Sequence, residues 1–299
     1  MEIRFSEHSD TGVQRDENQD AMGHFATEQG QLFVVCDGMG GHAGGQIASR
    51  LAVDSLGESY AAATELGEPR QWLSTAIKAA NRRIRLCSQE MGLFGMGTTA
   101  VALLIDAEGH SGSLAWVGDS RAYRYRAEEL VQLSQDHTLV ARLIAKGELS
   151  REQAAFHPQA GVMERTLGVE LDVEVDTMAL ELFDQDVYLL CSDGLTTMVD
   201  EHDLRRMLRE YPPLEVGAAL LGLANARGGY DNITLQVVQV GRSRVQFGPS
   251  ESGLIRLSDL VDELEPESEP SSLSTGRRWL YVLAALLVLV ILALLAVFV

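Results

Sequence analysis

Apolar residues follow two rhythms along the first 240 positions. Short runs at QLFVVC (31–36), TTAVALLI (98–105), SLAWVG (113–118), RAYRYR (121–126), VYLLCS (187–192) and NITLQVVQV (232–240) have the length and β-branched or aromatic content of strands. Elsewhere apolar positions return every three or four residues. Segment 70–86 places Leu73, Ala76, Ile77, Ala80 and Ile84 on one face, and 46–63 and 214–226 carry similar stripes, which predicts three amphipathic helices. Strand runs cluster at the start, middle and end of this stretch with long helices between them. The pattern therefore favours helices covering antiparallel sheets over a strictly alternating parallel α/β fold.

The last residues differ in kind. WLYVLAALLVLVILALLAVFV, 279–299, is 21 residues without a charge; as a helix it would extend roughly 31 Å against a hydrocarbon core of about 30 Å. Arg277 and Arg278 precede it, so the positive-inside rule predicts a single-pass C-terminal transmembrane helix with residues 1–276 on the cytoplasmic side of the cell membrane. Residues 241–276 are rich in Ser, Pro and Glu and read as a flexible acidic linker. Within them, Leu254, Leu257, Val261 and Leu264 have the spacing of a short amphipathic helix. The expected domains are thus 1–240, a linker over 241–276 and a membrane helix over 279–299.

Composition narrows the function classes. With 46% apolar residues a full core can be buried, and a net charge of −19 argues against nucleic acid as a partner, because that affinity rests on clustered Lys and Arg. Cys36, Cys87 and Cys191 show no metal-site or redox spacing, and Cys36 and Cys191 sit in apolar runs as small hydrophobes, which fits a reducing compartment. The N-terminal residues MEIRFSEHSD contain no apolar signal segment.

The chemistry gathers at the ends of strand runs. Asp37 follows FVVC, Asp119 follows LAWVG, Asp193 follows VYLLCS, and Asp231 opens the run NITLQVV. In antiparallel sheets the exit of one strand lies beside the start of its neighbour, so these carboxylates can converge on one rim. Clustered carboxylates raise one another's pKa unless a cation neutralises them, and an oxygen-only set suits Mg²⁺ or Mn²⁺.

Seven ordered motifs then become recognisable: TGVQRDENQD (11–20), VVCDGMGGHAGG (34–45), GMGTTAVALL (95–104), WVGDSRAYRYR (116–126), LSQDHTLV (133–140), LLCSDGLTTMV (189–199) and GGYDNITLQVV (228–238). Together they resemble the 2C (PPM) type of metal-dependent protein phosphatase in its bacterial form, over nearly all of residues 1–240. The resemblance implies an α+β fold, a four-layer α/β/β/α sandwich with two central antiparallel sheets. It implies hydrolysis of phosphoserine and phosphothreonine on proteins, in one step, by a water activated between two Mn²⁺ or Mg²⁺ ions.

Carried over residue by residue, Asp37 resembles the carboxylate shared by both metals. Asp193 and Asp231 then sit on one metal, the Gly38 carbonyl on the other, and Asp20 acts mostly through water. Asp119 resembles a ligand of a third, weaker metal. Arg15 resembles the phosphate-binding arginine, His42 the acid that protonates the leaving alkoxide, and Asn232 the residue that orients Asp231. Residues 137–168 fall where the family has a mobile flap. One departure stands out: Gln19 occupies a position where other members carry Glu, from which altered metal affinity with retained activity is expected. The expected partners are phosphorylated proteins, including a membrane serine/threonine kinase, and the catalytic domain is expected to be monomeric. The alternative is a catalytically silent, membrane-tethered module of the same fold.

Overall fold

The computed structural model describes residues 1–41, 43–154 and 156–241. Two five-stranded antiparallel sheets face each other. The first runs in the order β1 (Ile3–Asp10), β12 (Ile233–Val240), β11 (Val187–Cys191), β8 (Arg121–Arg126) and β9 (Glu129–Gln132). The second runs β10 (Asp176–Glu181), β7 (Ser111–Val117), β6 (Ala100–Asp106), β3 (Gly30–Cys36) and β2 (Ala21–Thr27). A short pair, β4 (Gly38–Met39) with β5 (Gly97–Thr98), extends beyond the end of β3.

Side-chain alternation explains why the central strands read as unbroken apolar runs. Along β3, Phe33 and Val35 enter the core between the sheets, where they meet Val101, Leu103, Leu190 and Val238. Leu32, Val34 and Cys36 point the other way, into a second core shared with α1 (Gly44–Ala62) and α2 (Pro69–Met91). A strand buried on both faces needs apolar residues at every position. On the outer face of the first sheet lie α5 (Asp193–Met198), α6 (Glu201–Glu210) and α7 (Val216–Ala226). The layers are thus helix, sheet, sheet, helix.

The six strand runs read from the sequence supply the interior strands of the two five-stranded sheets, and the four strands of these sheets that the sequence does not predict, β1, β2, β9 and β10, are their edges. An edge strand such as β1 interleaves Arg4, Glu7 and His8 with Ile3 and Phe5 and lacks a long apolar run. Helices α3 (Leu139–Ala145), α4 (Arg151–Ala154), α5 and α6 were also not anticipated; all are ten residues or fewer.

The expectation of a membrane helix is corrected. Among the described residues no helix is long and apolar enough to cross a membrane. Of the two longest, α1 carries Arg50, Asp54 and Glu58, and α2 carries Lys78, Arg82 and Arg83, as amphipathic helices covering a sheet must. The expected span 279–299, the linker after Gly241 and the stripe at 254–265 lie outside the described residues. Over the described residues the fold class is therefore an α+β sandwich without a transmembrane element, and the single-pass membrane placement is unsupported.

Leu103 is fully buried between the sheets. Truncation to Ala should cost about 3 kcal/mol of unfolding free energy, measurable as a lower urea midpoint with an unchanged slope.

Candidate active site and metal centre

One rim of the sandwich collects the ends of β3, β7 and β11 and the starts of β2, β8 and β12. The register shows how: Cys36, the last residue of β3, pairs with Ala21, the first of β2, while Cys191 at the end of β11 pairs with Arg121 on one side and Leu235 on the other. Each of the five predicted aspartates lies next to one of these positions. Asp37 follows β3, Asp20 precedes β2, Asp193 begins α5 two residues after β11, Asp231 stands two residues before β12, and Asp119 lies in the turn from β7 to β8.

A cavity of about 550 Å³ opens at this rim, and Arg15, Asp37, Gly38, Asp193, Asp231 and Asn232 are among its walls. Asp37 and Asp193 are in side-chain hydrogen-bond contact. Burial, and after it the charges of Asp20, Asp193 and Asp119, holds Asp37 well above the usual carboxylate range. Burial also raises Asp193, with Asp231 adding to the effect. Opposite, the Arg15 guanidinium donates to Asp231 Oδ2 at 2.7 Å.

Asp20 and Asp119 are not walls of this cavity. Asp20 lies behind it, 7% exposed, and accepts a 2.7 Å hydrogen bond from the Ser192 hydroxyl. Its other oxygen is buried without a hydrogen-bond partner, and burial pushes the group up to about 7. Asp119 is pushed up to about 7 as well, by burial and then by Asp193.

These residues fit divalent cations. Two carboxylates in contact, a third held by an arginine and a fourth with an orphaned buried oxygen form an oxygen-only donor set whose charges repel without a counter-ion. A tighter group, Asp200, His202 and Asp203, has ligand atoms within 4.8 Å of one another at the start of α6. It is a helix cap: Asp200 accepts the Asp203 N–H at 2.8 Å, and Asp203 is bonded by Arg227 at 2.6 Å and Arg206 at 3.3 Å. Among the described residues no three carboxylates of the rim meet that 4.8 Å spacing; they are spread along the rim rather than converging on a single point.

The scaffold assigns work to residues whose role the sequence did not disclose. The Thr99 hydroxyl accepts the Asp37 N–H at 2.9 Å and contacts Ser120 Oγ at 2.6 Å, while the Thr98 hydroxyl donates to the Asp37 carbonyl at 2.8 Å. Gly38 leaves no room for a side chain, since a Cβ there would stand 2.2 Å from the Gly45 carbonyl oxygen. Asn232 touches Asp231 through its backbone N–H, at 2.8 Å. Its side chain instead pins the segment that carries Arg15, donating to Thr11 O at 2.8 Å and Glu17 O at 2.9 Å and accepting the Gln19 N–H at 2.8 Å.

Gln19 ties down the glycine-rich loop: its amide donates to the Gly41 carbonyl at 3.2 Å, a bond that an ionised glutamate could not make. His42 lies outside the described residues. A sequence signal for the threonines existed in GMGTT, where two hydroxyl residues interrupt an otherwise apolar strand start.

Comparison with known proteins places this geometry. The model of the family described as Protein phosphatase 2C matches residues 11–219. The serine/threonine phosphatase stp of Listeria monocytogenes is 41% identical over 237 residues, covering 77% of this chain and 93% of that protein. The crystal structure of the Mycobacterium tuberculosis serine/threonine phosphatase PstP/Ppp superposes with a TM-score of 0.72 at 35% identity, covering 80% of this chain and 99% of that one. A structure of the PstP catalytic domain in complex with two manganese ions gives 0.69 at 34% identity, with 80% and 99% covered. The chain belongs to the protein phosphatase 2C family and is a metal-dependent serine/threonine phosphatase.

Proposed function

We propose that phosphoserine and phosphothreonine side chains of proteins are hydrolysed in the cavity bounded by Arg15, Asp37, Asp193 and Asp231, reversing the work of a serine/threonine kinase. The observation that carries this reading is the contact between the Asp37 and Asp193 carboxylates opposite the Arg15–Asp231 pair. It supports a site for cations beside a guanidinium that can hold a phosphate. In this reading Asp37, Asp193, Asp231 and the Gly38 carbonyl would hold two Mn²⁺ or Mg²⁺ ions, with Asp20 contributing through water and Asp119 holding a weaker third ion. Bound there, such ions would lower the pKa of water and offset charge on the phosphoryl oxygens.

The protein's own groups do the rest. Arg15 is half-exposed at the mouth, and with one nitrogen on Asp231 its remaining N–H groups can grip phosphate oxygens. That grip aligns phosphorus for in-line attack by water from the side opposite the leaving oxygen. Neither nearby serine supplies a nucleophile. Ser120 is 2% exposed and bonded to Thr99, and Ser192 is fully buried and bonded to Asp20. The serine or threonine oxygen leaves as the P–O bond breaks and needs a proton; His42 is our candidate donor, on the loop that Gln19 holds through Gly41.

Hydrolysis of a phosphothreonine peptide with Mn²⁺ tests the assignment. Asp37→Asn and Asp193→Asn should each lower kcat/KM by about a thousandfold, and Arg15→Ala by about a hundredfold with no rescue by Lys. Turnover that survives a chelator would contradict the reading. His42→Ala should slow phosphothreonine hydrolysis much more than p-nitrophenyl phosphate hydrolysis, whose leaving group needs no proton; equal slowing would remove His42 from the acid role.

The raised carboxylates also set a pH dependence. In the metal-free protein Asp20 and Asp119 bind protons up to about 7 and burial raises Asp37 well above the usual carboxylate range, whereas unfolded aspartates release them near 4. The folded state therefore holds more protons, and stability falls as pH rises through this window. His8 and His137, lowered by burial, act in the opposite sense below about 6.5, so the range just above that, through about 7, isolates the carboxylates. Metal-free Tm should fall across that range, Asp37→Asn should flatten the slope, and Mn²⁺ should raise Tm most at the alkaline end. A metal-free Tm that rises with pH would contradict the charge assignment.

A further inference from the structure

His137 lies in the stretch between β9 and β10 and takes no part in the chemistry above, yet its contacts converge on the Asp119 turn. Its backbone N–H donates to the Gly118 carbonyl at 3.0 Å, and its Nδ1 accepts the Gly118 N–H at 3.1 Å. The two peptide groups flanking the Gly118 Cα are thereby held by one residue, and the second of them leads into Asp119. Gly118 has φ of 105°, and a Cβ there would stand 2.6 Å from Thr99 Cγ2, so the turn is set tightly against the threonine that supports Asp37.

The other side of His137 faces segment 138–166. Its carbonyl accepts the Glu164 N–H at 2.8 Å. Because Nδ1 is an acceptor, the ring proton belongs on Nε2, which faces Asp176 Oδ2 at 3.4 Å. Arg165 bonds Asp176 and Glu174, each at 2.8 Å, and brings a nitrogen to 3.5 Å from Nε2. The ring is 8% exposed and lies nearly parallel to Trp116, with centroids 6.4 Å apart. A buried imidazole held on both nitrogens has one orientation available, so a shift of segment 138–166 is transmitted to the Gly118–Asp119 peptide.

We propose that His137 is a positioning residue that aims the Asp119 carboxylate toward Asp193 and couples this aim to the placement of segment 138–166. The proposal rests on the assignment of Asp119 to a weaker third ion. It extends that assignment to a residue that touches neither metal nor substrate, and by reciprocity an ion at Asp119 steadies the segment as much as the segment steadies the ion.

Titration calorimetry of the full chain with Mn²⁺ provides the test. His137→Leu weakens the weakest site by about tenfold and leaves the tighter sites unchanged. His137→Asn, whose carbonyl oxygen falls near the position of Nδ1, stays close to wild type, while His137→Gln, which reaches the Nε2 position instead, behaves as Leu. Asp119→Asn is run in parallel and abolishes the weakest site. Amide hydrogen exchange supplies a readout independent of turnover: saturating Mn²⁺ slows exchange across 138–166 in the wild type and not in His137→Leu.

If Asp119→Asn removes the weak site and His137→Leu leaves it intact, the proposal is overturned while the metal assignment stands. If Asp119→Asn changes no site, the assignment falls and the proposal with it. Should His137→Leu fail to fold, the Asn and Gln variants decide alone, and equal affinities for the two overturn the proposal.

Discussion

Repulsion among aspartates gathered at one sheet rim is the constraint around which the rest of this molecule is arranged. At roughly 4 Å and an effective dielectric near 20, two like charges cost about 4 kcal/mol. A domain has only about 5 to 15 kcal/mol of net stability to set against such costs. Asp37 and Asp193 are in contact, Asp20 and Asp119 stand near them, and the cation that bonds a wall of the cavity directly, Arg15, is taken up by Asp231. Such a rim can persist in two ways, by holding protons or by holding metal ions. The raised carboxylates record the first, and the oxygen-only donor set suits the second.

The hydrogen bonds around the rim make sense as the means of holding this unfavourable arrangement still. Both backbone polar groups of Asp37 are held by the Thr98–Thr99 pair, and Thr99 reaches on to Ser120 beside Asp119. Asn232 fastens the Arg15 segment to the start of β12, and Gln19 joins that segment to the glycine-rich loop. Arg15 and the carboxylates of the rim therefore sit on one connected frame although more than two hundred positions separate Arg15 from Asp231. Preorganisation of this kind lets charge that develops on a phosphoryl group meet fixed partners without further rearrangement.

How much of this could be read beforehand depended on burial. The interior strands, covered on both faces, announce themselves as apolar runs, whereas the four edge strands mix polar and apolar residues and were not visible. The same logic points to the aspartates of the rim: a charge directly after a fully buried strand must lie at its end, and antiparallel pairing brings such ends together. Residues that act through the backbone left weaker traces. Asn232 was expected to orient Asp231; its main-chain N–H bonds the Asp231 carboxylate, while its side chain holds a different segment. Gln19 registered as a lost charge, and the bond it donates to Gly41 depends on a fold that no local pattern displays. A run of uncharged residues invites a membrane assignment on length alone, and no helix among the described residues bears it out.

The central claim is that Asp37, Asp193 and Asp231 together grip a pair of divalent ions. Anomalous diffraction at the manganese edge, from crystals equilibrated with Mn²⁺, tests it most directly. The account predicts two strong peaks about 3.5 to 4 Å apart, with Asp37 touching both and Asp193 and Asp231 on one of them. Peaks confined to Asp200, His202 and Asp203, or none within reach of Asp37, would contradict it.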